Sequence, residues 1–223
     1  DPLWSRGLGD VYKRQPLKTG DYQKVERLRN LALFLLEIGE PAGVWPLLAS
    51  GPDPSLRAEM IHAAAGAGIP PGLLVERLSG EENPSARAAI LLMLGRYQPA
   101  GMEPSLRGQL EKTLWRMHTG DPDPGCHAAV EWSLRAWGHG EKVDAENKRL
   151  ASTRAPGAEP GQAGWRVSSS GLTFVKVPAG EVTTGSPPSE EYRNPTEFQH
   201  HFKIHQPFLL SSTEIPRHLF LLF

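Results

Sequence analysis

The sequence predicts an α+β protein, with a helical array over residues 21–152 followed by a short β-rich segment over 165–223. Three observations carry that reading. Apolar side chains in the first part recur at three- and four-residue steps, which places them on one side of a helix. Asp-Pro or Asn-Pro pairs stand at the head of several of these runs, where an Asx oxygen caps free N–H groups and proline forfeits no hydrogen bond. Beyond Trp165 the apolar residues gather in short runs bounded by glycine and proline, the pattern of strands joined by turns.

Residues 1–20 follow neither period; 7–15 resemble translated adapter sequence, and the stretch reads as a disordered or artefactual N-terminus. Val25, Leu28, Leu31, Ala32, Leu35, Leu36 and Ile38 then predict one face of a first helix that Gly39 ends. Asp53-Pro54-Ser55, Asn83-Pro84-Ser85 and Asp123-Pro124-Gly125 begin at 53, 83 and 123, spaced by 30 and 40 residues, and each opens a further helix. Their stripes are Leu56, Met60 and Ile61; Ala86, Ile90 and Leu94; and Cys126, Val130, Leu134 and Trp137. Second helices at 71–78 and 104–117 lie between them. Helix pairs at such a period bury their faces by stacking on neighbours, and the unit resembles HEAT repeats. An irregular helical bundle satisfies the same pattern, and both readings stay open.

A charged helical tail at 141–151 leads into a Pro/Gly-rich linker at 153–164. Trp165, Val167, Leu172, Phe174, Val175, Val177 and Val182 then predict strands, followed by a polar loop at 186–199 and an extended run at 202–212.

With 24 basic against 25 acidic residues the net charge is −1, which offers no field for a nucleic-acid backbone, so nucleic acid is excluded as a partner class. No apolar run approaches the ~20 residues of a membrane span. The chain reads as soluble, with a protein partner expected through the helical repeats and the oligomeric state left open. One cysteine, Cys126, allows no internal disulfide and fits no common zinc spacing.

The run Leu172-Thr173-Phe174-Val175-Lys176-Val177-Pro178-Ala179-Gly180-Glu181-Val182-Thr183-Thr184-Gly185-Ser186 resembles the opening of sulfatase-modifying-factor, or formylglycine-generating enzyme-like, domains. Those begin with a hydrophobic strand and then Pro-x-Gly-x-Phe-x-Met-Gly-Ser; Val182 and Thr184 depart from the aromatic and the Met. Glu190, Asn194-Pro195, Glu197, His200, Pro207-Phe208-Leu209-Leu210 and Thr213-Glu214-Ile215 continue the resemblance in order. It implies the first strands of a C-type-lectin-like fold, truncated, because the paired copper-binding cysteines of that family lie downstream of Phe223. It therefore implies a fragment of a multidomain protein that is non-catalytic over this stretch, whose longer parent is either a formylglycine-generating oxidoreductase or a lectin-like or helical-repeat binding scaffold. The tail from Pro216 to Phe223 departs from the family and reads as truncation. Repeats placed before such a domain also resemble bacterial multidomain proteins that carry an upstream Ser/Thr kinase domain, which implies the bacterial cytoplasm; no kinase motif occurs here.

No residue is assigned a catalytic, cofactor-binding or metal role, and no cofactor is implied. His200, His201 and His205 are clustered, with 201 and 205 on one face of an extended strand, but nothing is placed to complete a ligand set. Cys126 reads as a packing residue, with His127 directed away from it. Glu190, Glu191 and Glu197 read as solvated loop carboxylates, and Trp115, Trp132 and Trp137 as core or repeat-interface residues.

Overall fold

The computed structural model describes residues 19–51, 53–153, 164–186, 188, 194, 196–215 and 220–221. The expected N-terminal segment, apart from its last residues, the linker over 154–163, Glu190, Glu191 and most of the tail after Ile215 lie outside those residues. The molecule combines helices with small antiparallel sheets, in keeping with the α+β expectation.

Helix α1 spans Thr19–Glu37 and ends where Gly39 takes φ +79°, a left-handed backbone that glycine adopts without strain. Its inward side is narrower than the periodicity suggests. Val25 is half-buried and Ala32, Leu33 and Leu36 are buried, whereas Leu28, Leu31, Phe34 and Ile38 lie on an exposed apolar side. The apolar residues of this helix cover more than one stripe, and only the stripe that meets α2 is sequestered. Arg29 fastens the two helices through Glu59 at 2.8 Å.

Helices α2 (Ser55–Ala63), α3 (Pro71–Gly80), α4 (Pro84–Leu94), α5 (Pro104–Gly120), α6 (Pro124–Ala136) and α7 (Gly140–Thr153) follow. The capping reading holds in detail at two starts: Asn83 Oδ1 accepts from the backbone N–H of Ser85 and Ala86, and Asp123 Oδ1 from that of Cys126. At the first copy Asp53 accepts from Ser55 N–H, yet Pro54 lies just outside the helix, so the cap sits one residue early. A further start of the same kind was not visible as a repeat: Glu103 accepts from Ser105 and Leu106 N–H ahead of Pro104. A glutamate reaches these amides with a longer side chain, so the motif survives the change of residue type.

Packing runs α1 on α2, α2 on α4, α3 on α4, α4 on α6, α5 on α6 and α6 on α7. Helix α4 therefore has neighbours on several sides, and Ala86, Ala88, Ala89, Ile90, Leu91, Met93 and Leu94 are all buried. Its contact with α6 is close because Gly95, just past the end of α4, leaves room for Ser133 and Trp132; an added Cβ would sit 2.5 Å from Ser133 Oγ. The Ser133 hydroxyl donates to the carbonyls of Leu91 and Ala129 at 2.9 and 2.8 Å, which satisfies it inside the core.

The charged tail over 141–151 is helical, as expected, and packs one edge inward through Val143, Asn147 and Leu150 of α7. Strand β1 (Trp165–Val167) packs on α7, and Leu150, Trp165 and Val167 form their own small core. Strands β2 (Thr173–Val177) and β5 (Phe208–Ser211) complete an antiparallel sheet in the order β1-β2-β5, while β3 (Gly180–Thr184) and β4 (His200–Ile204) form a separate hairpin. The extended run expected over 202–212 is thus broken. Val177 pairs with Phe208 and Gly180 with Ile204, so Pro178 and Ala179 face three residues ending in Pro207. Neither proline can donate to a ladder, which ends the pairing on both strands at once. Gly185, at φ +83°, lets the chain leave β3 against the carbonyl of Phe198, where a side chain would collide.

Gly95→Ala is expected to lower stability by about 1–3 kcal/mol through overpacking of α4 on α6. Urea denaturation followed by circular dichroism checks this, and an unchanged midpoint would mean the two helices separate without cost.

Candidate functional site

The site grows from a polar cluster that the helix ends deliver into the core. Helix α5 carries His118 in its last turn, where the side chain is fully buried. The chain then turns through Asp121 into α6, which brings His127 and, one turn later, Glu131 onto the same side of that helix. His127 is also fully buried. Asn147 approaches from α7, 1% exposed.

The rings of His118 and His127 stack at 4.9 Å, and Trp165 of β1 stacks on His127 at 3.6 Å with the planes 14° apart. The Trp165 indole N–H donates to the Asp121 carbonyl at 2.8 Å. His127 Nδ1 lies 2.9 Å from the His118 carbonyl, which can only accept, so Nδ1 carries the proton and Nε2 the lone pair. Nε2 then accepts from the Thr173 hydroxyl at 3.3 Å and lies 3.9 Å from Glu131 Oε2. Glu131 is held from outside by Arg135, whose Nε and Nη2 donate to Oε1 at 3.0 and 2.9 Å, and the Asn147 amide donates to Oε2 at 3.4 Å.

Among the described residues neither ring nitrogen of His118, nor Asn147 Oδ1, has a hydrogen-bond partner within 3.5 Å, although the Asn147 side chain is near enough to favour the charged imidazole. Burial pushes the His118 imidazole below its ordinary pKa, against the opposing pull of the Glu131 and Glu146 carboxylates. The donor atoms of His118, His127 and Glu131 all lie within 4.8 Å of one another, so these three residues are the described group that could hold a metal ion. A cleft of about 540 Å³ is lined by Glu131, Asn147 and Thr173 together with Trp132, Arg135 and Lys148; it reaches the cluster at Glu131, while His118 and His127 lie behind its lining.

The residues singled out from sequence lie elsewhere. His200 and His201 are exposed on β4, with Thr183 Oγ1 2.7 Å from His201 Nδ1, and His205 falls in the break after the strand ends at Ile204; the shared strand face expected for 201 and 205 is not formed. Glu197 is exposed and accepts from the Ser186 hydroxyl at 3.2 Å. Trp137 is buried and Trp115 half-buried, as core residues, but Trp132 is 41% exposed beside the guanidinium of Arg96. Cys126 is buried in the core, as expected, and His127 does turn away from it.

His118, Glu131 and Asn147 carry no strong mark in the sequence. The available signal was His127-x-x-x-Glu131, a four-residue step on a helix that also carries an apolar stripe. His118 offered none, because only the fold brings the end of α5 beside the start of α6. No family model, no curated protein and no solved structure matches the chain.

Trp165→Ala is expected to weaken the joint between the helices and the sheet by about 3–5 kcal/mol, the cost of removing a buried large aromatic. Limited trypsin digestion should then cut at Arg166 and Lys176 faster than in the wild type while a fragment containing the helices persists. Loss of both parts at one rate would mean that the helices depend on the sheet.

Proposed function

We propose that this chain is a helical-repeat scaffold that seats the opening strands of a sulfatase-modifying-factor-like domain and is itself non-catalytic over this stretch. The observation that carries the reading is the packing of Trp165 on the helices: it stacks on His127 and joins Leu150 in a small core of its own, so the helices serve as a platform for whatever the sheet belongs to. Alternate helices α2, α4 and α6 contact in a row while α1, α3 and α5 pack against them, which supports the HEAT-like reading over an irregular bundle. The break in pairing after Val177 and the positive φ of Gly185 are compatible with the Pro-x-Gly and Gly-Ser positions of the resemblance.

Cysteine oxidation in that family needs reactive thiols. The thiol of Cys126 is pushed up from an ordinary 9.0 to about 11, first by burial, with the carboxylates of Asp121 and Asp123 adding to the rise and Arg87 opposing it. It lies 3.3 Å from the carbonyl of Pro84. This is a packing residue held neutral.

A second reading, a non-enzymatic binding module, is favoured by two surfaces: the cleft above Glu131 and the exposed apolar side of α1. A protein partner would meet the helical repeats there. No described helix is long and apolar enough to cross a membrane.

The test is an aldehyde assay on a sulfatase-type cysteine peptide with copper and oxygen supplied. This chain is expected to form no formylglycine. Activity in this chain would overturn the non-catalytic reading.

Cys126 is further expected to resist iodoacetamide at pH 8 in the folded chain and to react once urea unfolds it, as mass spectrometry would read. The unfolded chain gives up the thiol proton near 9 and the folded chain only near 11, so this group's share of stability is present below about 9 and is lost as pH rises toward about 11. A urea midpoint that stayed level across that window would contradict the assignment.

A further inference from the structure

A buried imidazole with both nitrogens unpaired is costly, since each unsatisfied polar atom forgoes its hydration without recompense. His118 has no hydrogen bond within 3.5 Å at either nitrogen, and its nearest polar neighbour, the Asn147 side chain on the next helix, acts on the imidazole only weakly and leaves its own Oδ1 without a partner inside that distance. Native cores rarely keep such groups together unless something is bound between them. The adjacent imidazole is already arranged as a ligand: His127 donates Nδ1–H to a backbone carbonyl and presents Nε2, the arrangement by which metal-binding histidines are oriented. Glu131 Oε2 lies 3.9 Å from that nitrogen, and Arg135 and Asn147 fix the carboxylate from its outer side.

From this geometry we infer that His118, His127 and Glu131 bind one divalent transition-metal ion of the zinc class. Bonds of about 2.0–2.2 Å in a tetrahedral site set neighbouring donors roughly 3.4 Å apart. The 3.9 Å between His127 Nε2 and Glu131 Oε2, and the 4.8 Å that bounds the whole set, exceed that value, so binding turns the stacked His118 ring out of parallel with His127 toward a common ion. Two imidazoles and one carboxylate suit zinc, cobalt or nickel and suit magnesium or calcium poorly, because the hard ions prefer oxygen alone. The Thr173 hydroxyl, now on Nε2, would yield its place to the ion. The ion would tie α5 to α6 beneath the Trp165 stack. The inference is independent of the family to which the sheet belongs.

The experiment uses the whole chain, stripped with a chelator and then dialysed against zinc or cobalt. One equivalent of zinc should be retained by elemental analysis, and cobalt should give the visible absorption of a tetrahedral site. Glu131→Gln keeps the shape of the side chain and should weaken cobalt binding by about tenfold or more; His118→Asn should abolish it, and circular dichroism establishes that each variant is folded. His200→Gln, His201→Gln and His205→Gln together should leave binding unchanged. If the wild type retains no metal, the cluster is only a polar knot and the inference fails. It fails equally if binding is lost with the three strand histidines or survives intact in a folded Glu131→Gln.

Discussion

The stacking of Trp165 on His127 is the contact on which the arrangement of the two halves depends. A single aromatic ring covers a buried imidazole, fills the space beside Leu150 and directs its N–H to the carbonyl that ends α5. Large aromatics contribute both area and direction in this way, because the polar edge must find its partner while the faces are packed. Asp121 extends the constraint inward. Its carboxylate accepts from Arg87 of α4 at 2.8 and 2.9 Å and from the N–H of Asp123, so the turn that positions His118 and His127 is braced from the central helix. What the sheet does to Trp165 is thereby felt in the helical core, and the reverse.

The helices were legible where a local rule decides them. Asn83 and Asp123 cap because an Asx oxygen before proline has few other uses, and the stripes of α2 and α4 point inward as their steps require. The sequence was less informative where the surroundings decide. Leu28, Leu31 and Ile38 have the same chemistry as Leu36, and only the position of α2 determines which side of α1 is covered. The tail over 141–151 is dominated by charged residues, yet three well-spaced side chains suffice to bury one edge of its helix.

The candidate site was hidden for a related reason. Its members come from α5, α6 and α7, and none stands out within its own helix. Histidines on a strand attracted notice because they are consecutive in the chain; the pair that matters is nine positions apart and meets only when two helix ends are brought together by a short turn. Sequence proximity ranks clusters by spacing, whereas burial and convergence, which make a cluster chemically unusual, are properties of the fold. The sheet tells the opposite story: its turns at Pro178 and Gly185 were readable because proline and glycine impose geometry on their own.

The double proline break between the two strand pairs also separates two rates of permissible change. A one-residue slip in the hairpin of β3 and β4 would exchange the faces of Phe202 and Lys203, but the unpaired stretch around Pro178 and Pro207 keeps that slip from travelling into β2 and β5. Variation in the outer hairpin, including loops of different length between its strands, is therefore insulated from the register that holds Thr173 against His127. The molecule has an inner region in which drift is confined and an outer one in which it is not, and the boundary between them is set by two residues without an amide hydrogen.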